Sequence, residues 1–266
     1  MKQISSIHLD KEDREFLDSL PEVPMMFGFG SQRPERITVP EFHVRHNQGS
    51  MGSCQGHSIT SCVERLLTVG RTYKGVQLSR IYAYLASQQV DGLLGADRGS
   101  TISAGVKVAM QGIPKESDIP YPSPARYPGR SQRQQILDSW DSYQTEPFSA
   151  KSSWKVPKDP EAIRQFLAGG GAINLGILWY GGIIPRNRVV THFNSHARGG
   201  GHALSILGYE PDRFTLLNSH GDGLFWVMDD ALMAMLNHSW TAAVGVLGSP
   251  DSEPEPVDWF EDSPMF

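Results

Sequence analysis

The chain predicts an α+β fold built as two lobes. Three observations lead there. Amphipathic helical patterns occupy residues 10–111. Short apolar runs bounded by Gly, Asp and Pro fill residues 172–248. Helices therefore precede strands instead of alternating with them, which separates α+β from alternating α/β. A chain of 266 residues is long enough for one large domain or two lobes sharing an interface.

The elements follow in order. Residues 10–20, "DKEDREFLDSL", read as a short charged helix opened by Asp10. A Pro-broken extended stretch runs to residue 46. Residues 55–69 place Ile59, Cys62, Val63, Leu66 and Leu67 at helical spacing, which marks a buried face. A second helix spans 79–90 behind Ser79, and a third spans 101–111 and stops at Gly112. Residues 113–158, with "IPYPSPARYP" inside, read as one irregular connection. "DPEAIRQFLAGGG" is a helix with Pro160 in its first turn and a glycine stop. "AINLGILWY", "HALSILGYE", "RFTLLNS", "LFWVM" and "TAAVGVLG" read as strands of an antiparallel sheet or partial barrel, with the short helix "DDALMAML" before the last. The expected organisation is an N-terminal extension over 1–46, a mainly helical lobe over 47–140, a mainly β lobe over 141–248 and an acidic tail over 249–266.

Charge narrows the function classes. The net charge is −5, but the last 18 residues carry six acids and no base, leaving 23 acids against 24 bases in the rest. Neither part has the basic face that nucleic-acid binding needs, so no nucleic-acid partner is expected. A tail so rich in Pro and acid lacks the apolar surface to order itself. Its Trp259, Phe260 and Phe266 suit it to dock on a protein partner. No run approaches the roughly 18 apolar residues of a membrane span, and the N-terminus lacks the apolar core of a secretory signal. A cytoplasmic protein is expected, or a virion-associated one if phage-encoded. The two cysteines, Cys54 and Cys62, would sit about 12 Å apart along one helix, too far for a disulfide.

The chemistry concentrates in three places. "NQGSMGSCQGHS" sets Cys54 at a helix start, where unpaired N–H groups and the helix dipole favour a thiolate. Its small residues admit a substrate, and the Gln48 amide is a candidate donor to an oxyanion. "GGGHALSILGYE" puts His202 at the head of an apolar strand, and "FTLLNSHGDG" puts Asn218 at the end of the next. The 16 residues between them suit a hairpin that sets the imidazole beside the amide. Taken singly, a buried helix cysteine and a structural strand histidine are the more ordinary readings.

In this order the motifs "NQGSMGSCQGHS", "GGGHAL", "LGYE" and "LLNSHGDG" resemble the papain-like cysteine peptidases. Cys54 and His202 lie 148 positions apart, within the roughly 130–150 typical of that family. The resemblance runs from about residue 40 to 247. It implies a papain-like two-lobed fold, with the cleft between a helical lobe and a β-barrel-like lobe. It implies Cys54 as nucleophile, His202 as its base, Asn218 as orienter of His202 and Gln48 in the oxyanion hole. Gly99 and Ser100 would form the edge that pairs with a substrate backbone, and Gly200 and Gly201 would leave room beside the scissile bond. The substrate would be a polypeptide, and neither a cofactor nor a metal is implied.

Departures from the pattern are local. Met51 stands where eukaryotic members have a disulfide cysteine, Gln55 where an aromatic follows the nucleophile, and His220 where a tryptophan shields the His–Asn pair. The missing disulfide suits bacterial or phage-encoded relatives. About 40 residues precede the motif, fewer than the inhibitory pro-segment of secreted members, so control is expected from elsewhere. Two alternatives stand beside an active endopeptidase. One is a catalytically weak papain-fold docking component of a phage particle or secretion assembly, and the other is a peptidoglycan amide hydrolase.

Overall fold

The computed structural model describes residues 7–8, 11–23, 33–39, 46–69, 75–139 and 148–248. The acidic tail, the expected boundary at 140/141 and the Asp10 cap lie outside these residues. The elements in chain order are β1 (Ile7–His8), α1 (Lys11–Ser19), α2 (Cys54–Val69), α3 (Arg80–Val90), β2 (Ser100–Thr101), α4 (Ile102–Gln111), α5 (Arg130–Asp138), β3 (Ser152–Lys155), α6 (Pro160–Ala168), β4 (Ala172–Trp179), β5 (Val189–Val190), β6 (Gly200–Glu210), β7 (Arg213–Asn218), β8 (Gly223–Met228), α7 (Asp229–Leu236) and β9 (Ala242–Leu247).

Local chemistry explains several of these boundaries. Ser79 caps α3 by accepting from the Tyr82 N–H at 3.2 Å, and Thr101 caps α4 by accepting from Ala104 at 3.1 Å. Asp159 does the same for α6 through Ala162 at 2.7 Å, with Pro160 at the first position, where its missing N–H costs nothing.

Two elements lie inside what the sequence presents as an irregular connection. Helix α5 buries none of its residues, so it has no apolar stripe to betray it. Strand β3 is half-buried along its length and completes one edge of the sheet by pairing with β9.

The main sheet has the order β3-β9-β4-β6-β7-β8-β5, antiparallel except for the short β5–β8 pair. Its two faces serve two cores. Ala203, Leu207, Leu217 and Val244 pack with α2, α3 and α4. Ile173, Leu175, Leu204, Ile206 and Leu216 pack on the other side with α6 and α7. Helix α2 is almost wholly enclosed, with 14 of its 16 residues buried, as a helix covered on all sides must be.

A polar stitch fixes α2 against the sheet. The Ser58 hydroxyl donates to Asn174 Oδ1 at 2.7 Å and to the Leu204 carbonyl at 2.6 Å, and the Ser205 hydroxyl donates to the Ser58 carbonyl at 2.9 Å. Ser58 lies one turn after Cys54, and Ser205 lies three residues after His202. The stitch therefore sets the register between the two elements that bear the thiol and the imidazole.

Candidate active site

Cys54 is the first residue of α2 and is fully buried. Cys62 lies two turns further along the same helix, and both thiols are free of disulfides. His202 is the third residue of β6, and β6 and β7 form the antiparallel hairpin that brings Asn218 alongside it. His202 Nε2 and Asn218 Oδ1 are 2.8 Å apart in a buried setting. The amide oxygen accepts, so Nε2 carries the proton and Nδ1 is the ring nitrogen left for other chemistry.

Gln48 enters through a second stitch, between the segment before α2 and the β7–β8 turn. Gln48 N–H donates to the Ser219 carbonyl at 2.8 Å, and Gly221 N–H donates to the His46 carbonyl at 2.9 Å. The Gln48 side chain is held at both ends of its amide. Oε1 accepts from the Ser219 hydroxyl at 2.5 Å, and Nε2 donates to the Met51 carbonyl at 2.8 Å. These partners leave one Nε2 hydrogen uncommitted by them, and they fix which way the amide points.

Two rings cover His202. His220 stacks on it at 4.3 Å with 28° between planes, and Trp179 tilts against it at 4.6 Å. Trp179 also meets His220 edge-on at 5.5 Å. His220 is itself exposed, so one face shields His202 while the rest meets solvent. The sequence does not mark Trp179 as a neighbour of His202. Its position follows from the register, which sets it opposite Gly200. A Cβ at Gly199 would lie 1.9 Å from the Trp179 carbonyl oxygen, so this glycine is what lets the two strands close up before His202.

Burial dominates the electrostatics. It pushes the His202 imidazole down to about 3, with His220 and His57 adding to the effect against the raising influence of the Asn218 bond. His57, on α2, is also lowered to about 3, by burial and by the charge of Arg80. An isolated imidazolium is thus disfavoured here, and it needs an adjacent negative charge to form. Cys62 has no such setting, and burial pushes its thiol up to about 12.

The remaining expectations fare differently. Gly200 and Gly201 open β6, half-buried, opposite Trp179 and Leu178. The edge expected at Gly99 and Ser100 is taken in this form. Gly99 N–H donates to the Tyr84 hydroxyl at 3.2 Å, and its carbonyl accepts from Gln88 at 3.0 Å. Ser100 is buried, and its strand pairs in parallel with β1, which also approaches β6. Met51 is a buried side chain. Gln55 is buried above Gly105, and its amide has no hydrogen-bond partner. Among the described residues no cluster of three His, Cys, Asp or Glu side chains is placed to hold a metal, and no helix is long and apolar enough to cross a membrane.

Comparison with known proteins places this fold. The fold is similar to Xylellain, a cysteine protease from Xylella fastidiosa, with a TM-score of 0.65 and 20% identity over 92% of this chain and 91% of that one. It is similar to the Carica candamarcensis cysteine protease CMS1MS2, solved in complex with E-64, with a TM-score of 0.59 and 19% identity over 81% and 99% of the two chains. The proform of the ragweed pollen allergen Amb a 11, a cysteine protease, gives a TM-score of 0.62 and 17% identity over 82% of this chain and 66% of that one. No curated protein matches by sequence. Identities this low speak to the fold alone, but the model of the papain family cysteine proteases matches residues 35–248, most of the chain. The chain belongs to the papain family and is a cysteine peptidase, a thiol-dependent hydrolase.

Proposed function

We propose that the protein is an endopeptidase that cuts peptide bonds of polypeptide substrates with Cys54, His202 and Asn218. The Cys54 thiolate adds to the scissile carbonyl carbon. The carbonyl oxygen becomes an oxyanion, met by the Cys54 N–H and the uncommitted Nε2 hydrogen of Gln48. The imidazolium of His202 gives its Nδ1 proton to the leaving amine as the C–N bond breaks, leaving a thioester. His202 then takes a proton from water, which attacks the thioester, releases the acid and restores the Cys54 thiolate beside the His202 imidazolium. Asn218 holds the ring with Nε2 protonated throughout. The observation that supports this reading most is the buried 2.8 Å bond between His202 Nε2 and Asn218 Oδ1 beneath Trp179 and His220. The test is incubation with a thiol-directed epoxide and a peptide library. One adduct on Cys54 and loss of cleavage on its formation are expected. An unmodified Cys54 with continuing cleavage would refute the assignment.

A second reading, a latent form of the same enzyme, is favoured by β1. That strand occupies the edge beside Gly99 and approaches β6. Cys54 has no exposed surface, so a substrate reaches the sulfur only when the cleft widens. Removal of residues 1–10 should then accelerate epoxide labelling of Cys54. An unchanged rate would leave the open enzyme as the sole account.

A further inference from the structure

We propose that Asp222 is a positioning residue of this site, fixing the Asn218 amide in the orientation that serves His202 and laying a negative charge behind it. The proposal rests on the Cys54–His202–Asn218 reading given above. Asp222 ends the four-residue turn between β7 and β8, whose flanking residues Asn218 and Gly223 are paired. The turn does not drift, because Asn47 bridges to His220 and Gly221 N–H is bonded to the His46 carbonyl.

The amide of Asn218 has two ends and each is occupied. Oδ1 accepts from His202 Nε2 at 2.8 Å and from the Ser219 N–H at 2.9 Å, while Nδ2 donates to Asp222 Oδ2 at 3.1 Å. A rotated amide would turn its oxygen toward the carboxylate and its NH2 toward two N–H donors. All three contacts would then be repulsive. With Asp222 in place only one orientation survives, and that orientation commits the Nε2 proton of His202 to Asn218. Nδ1 is thereby reserved for the thiol.

The second argument is the cost of keeping a carboxylate there. Asp222 Oδ1 is buried and has no hydrogen-bond partner. A buried acceptor left unsatisfied is destabilising, and its persistence asks for a use. The charges around His202 supply one. His220 stacks on it from the turn, and His57 faces it from α2, the helix that Cys54 opens. Each opposes a positive His202 ring when it is itself protonated. Asp222, which also faces His220, is the negative group on the Asn218 side. Relayed through the amide dipole, its charge favours the imidazolium.

Three substitutions separate geometry from charge. Asp222→Asn keeps an acceptor for Asn218 and removes the charge. Asp222→Ala removes both, and Asp222→Glu keeps the charge but displaces it. For Asp222→Ala, kcat should fall about tenfold with KM within about twofold, since the loss concerns proton transfer and not substrate binding. For Asp222→Asn, kcat at the optimum should fall less, but the alkaline limb of the kcat/KM profile should move down by about half to one pH unit. Asp222→Glu should restore that limb while kcat stays low. A readout independent of peptidase activity is the His202 Nε2–H proton resonance in Cys54→Ala. It should be sharp with Asp222 and broadened or shifted upfield in the added Asp222→Ala variant. Superimposable pH profiles and an unmoved resonance, with only thermal stability reduced, would overturn the proposal. If wild-type Cys54 takes no epoxide and cleaves nothing, the catalytic reading fails on its own, while the resonance still decides the role of Asp222.

Discussion

Helix α2 holds two cysteines in opposite circumstances. Cys54 opens the helix, where the first-turn N–H groups have no partners within the helix. Its elements are stitched to the strand of His202 and to the turn of Asn218. Cys62 sits two turns on, in the middle of the core, and its thiol is pushed up to about 12 by burial despite a hydrogen bond to Ser205. The two side chains share a helix, a sheet and complete burial. What separates them is the helix end and the polar stitching around it. On the proposed reading, reactivity is a property of position along α2, not of the thiol.

The sharpest way to break this comparison is to remove each sulfur. Cys54→Ala should lower kcat/KM by at least about a thousandfold, as loss of a covalent nucleophile does. Cys62→Ala should leave it within about twofold and instead destabilise the fold by about 1–2 kcal/mol, through the cavity left behind. Chemical denaturation alongside peptide assays measures both. Equal losses of activity in the two variants would erase the distinction.

Next in size is an effect of pH. Desolvation of the face that lies against His202 and Trp179 lowers the His220 imidazole from its ordinary range, against the pull of Asp222. His220 is neutral above that lowered value and charged below it. Charged, it lies 4.3 Å from His202 and opposes the imidazolium, so activity should fall as pH drops through the His220 titration. His220→Phe keeps a ring over His202 without the charge, and its acid limb should extend to lower pH. A limb that does not move would assign the acid loss to another group.

The smallest effect concerns the neighbour of the nucleophile. Gln55 buries an amide with no partner, and a Cβ on Gly105 would meet its Nε2 at 1.6 Å. Gln55→Met, similar in shape and without the unsatisfied groups, should raise stability by about 1 kcal/mol. An unfolding midpoint that falls would mean the amide has a partner in solution, such as a bound water.

The sequence marks the proposed chemical groups better than their surroundings. Cys54, His202, Asn218 and Gln48 each sit in a short motif whose glycines and strand pattern mark them. The α+β class followed from helices preceding strands, and the family followed from the order and spacing of the motifs. What stayed hidden depends on register. Trp179 covers His202 because it pairs with Gly200, and nothing local to "LWY" announces that. Asp222 looks like an ordinary turn residue until the hairpin closes and Asn218 reaches it. Helix α5 packs only the adjacent, half-buried Ile136 and Leu137 against the core, and β3 is an edge strand, so neither leaves a periodic apolar signal. The pairing of β1 with β2 joins segments more than 90 residues apart through two residues on each side, too short to read in advance.

The most direct measurement is the rate of iodoacetamide alkylation of each cysteine in the native protein, followed across pH and mapped by peptide mass. The account predicts modification at Cys54 and not at Cys62. It predicts a Cys54 rate that persists below the ordinary thiol range of about pH 8.5 and falls at least about tenfold in His202→Ala. Alkylation of Cys62 at a comparable rate would contradict it. So would a Cys54 rate that rises only in alkaline solution and ignores the loss of His202.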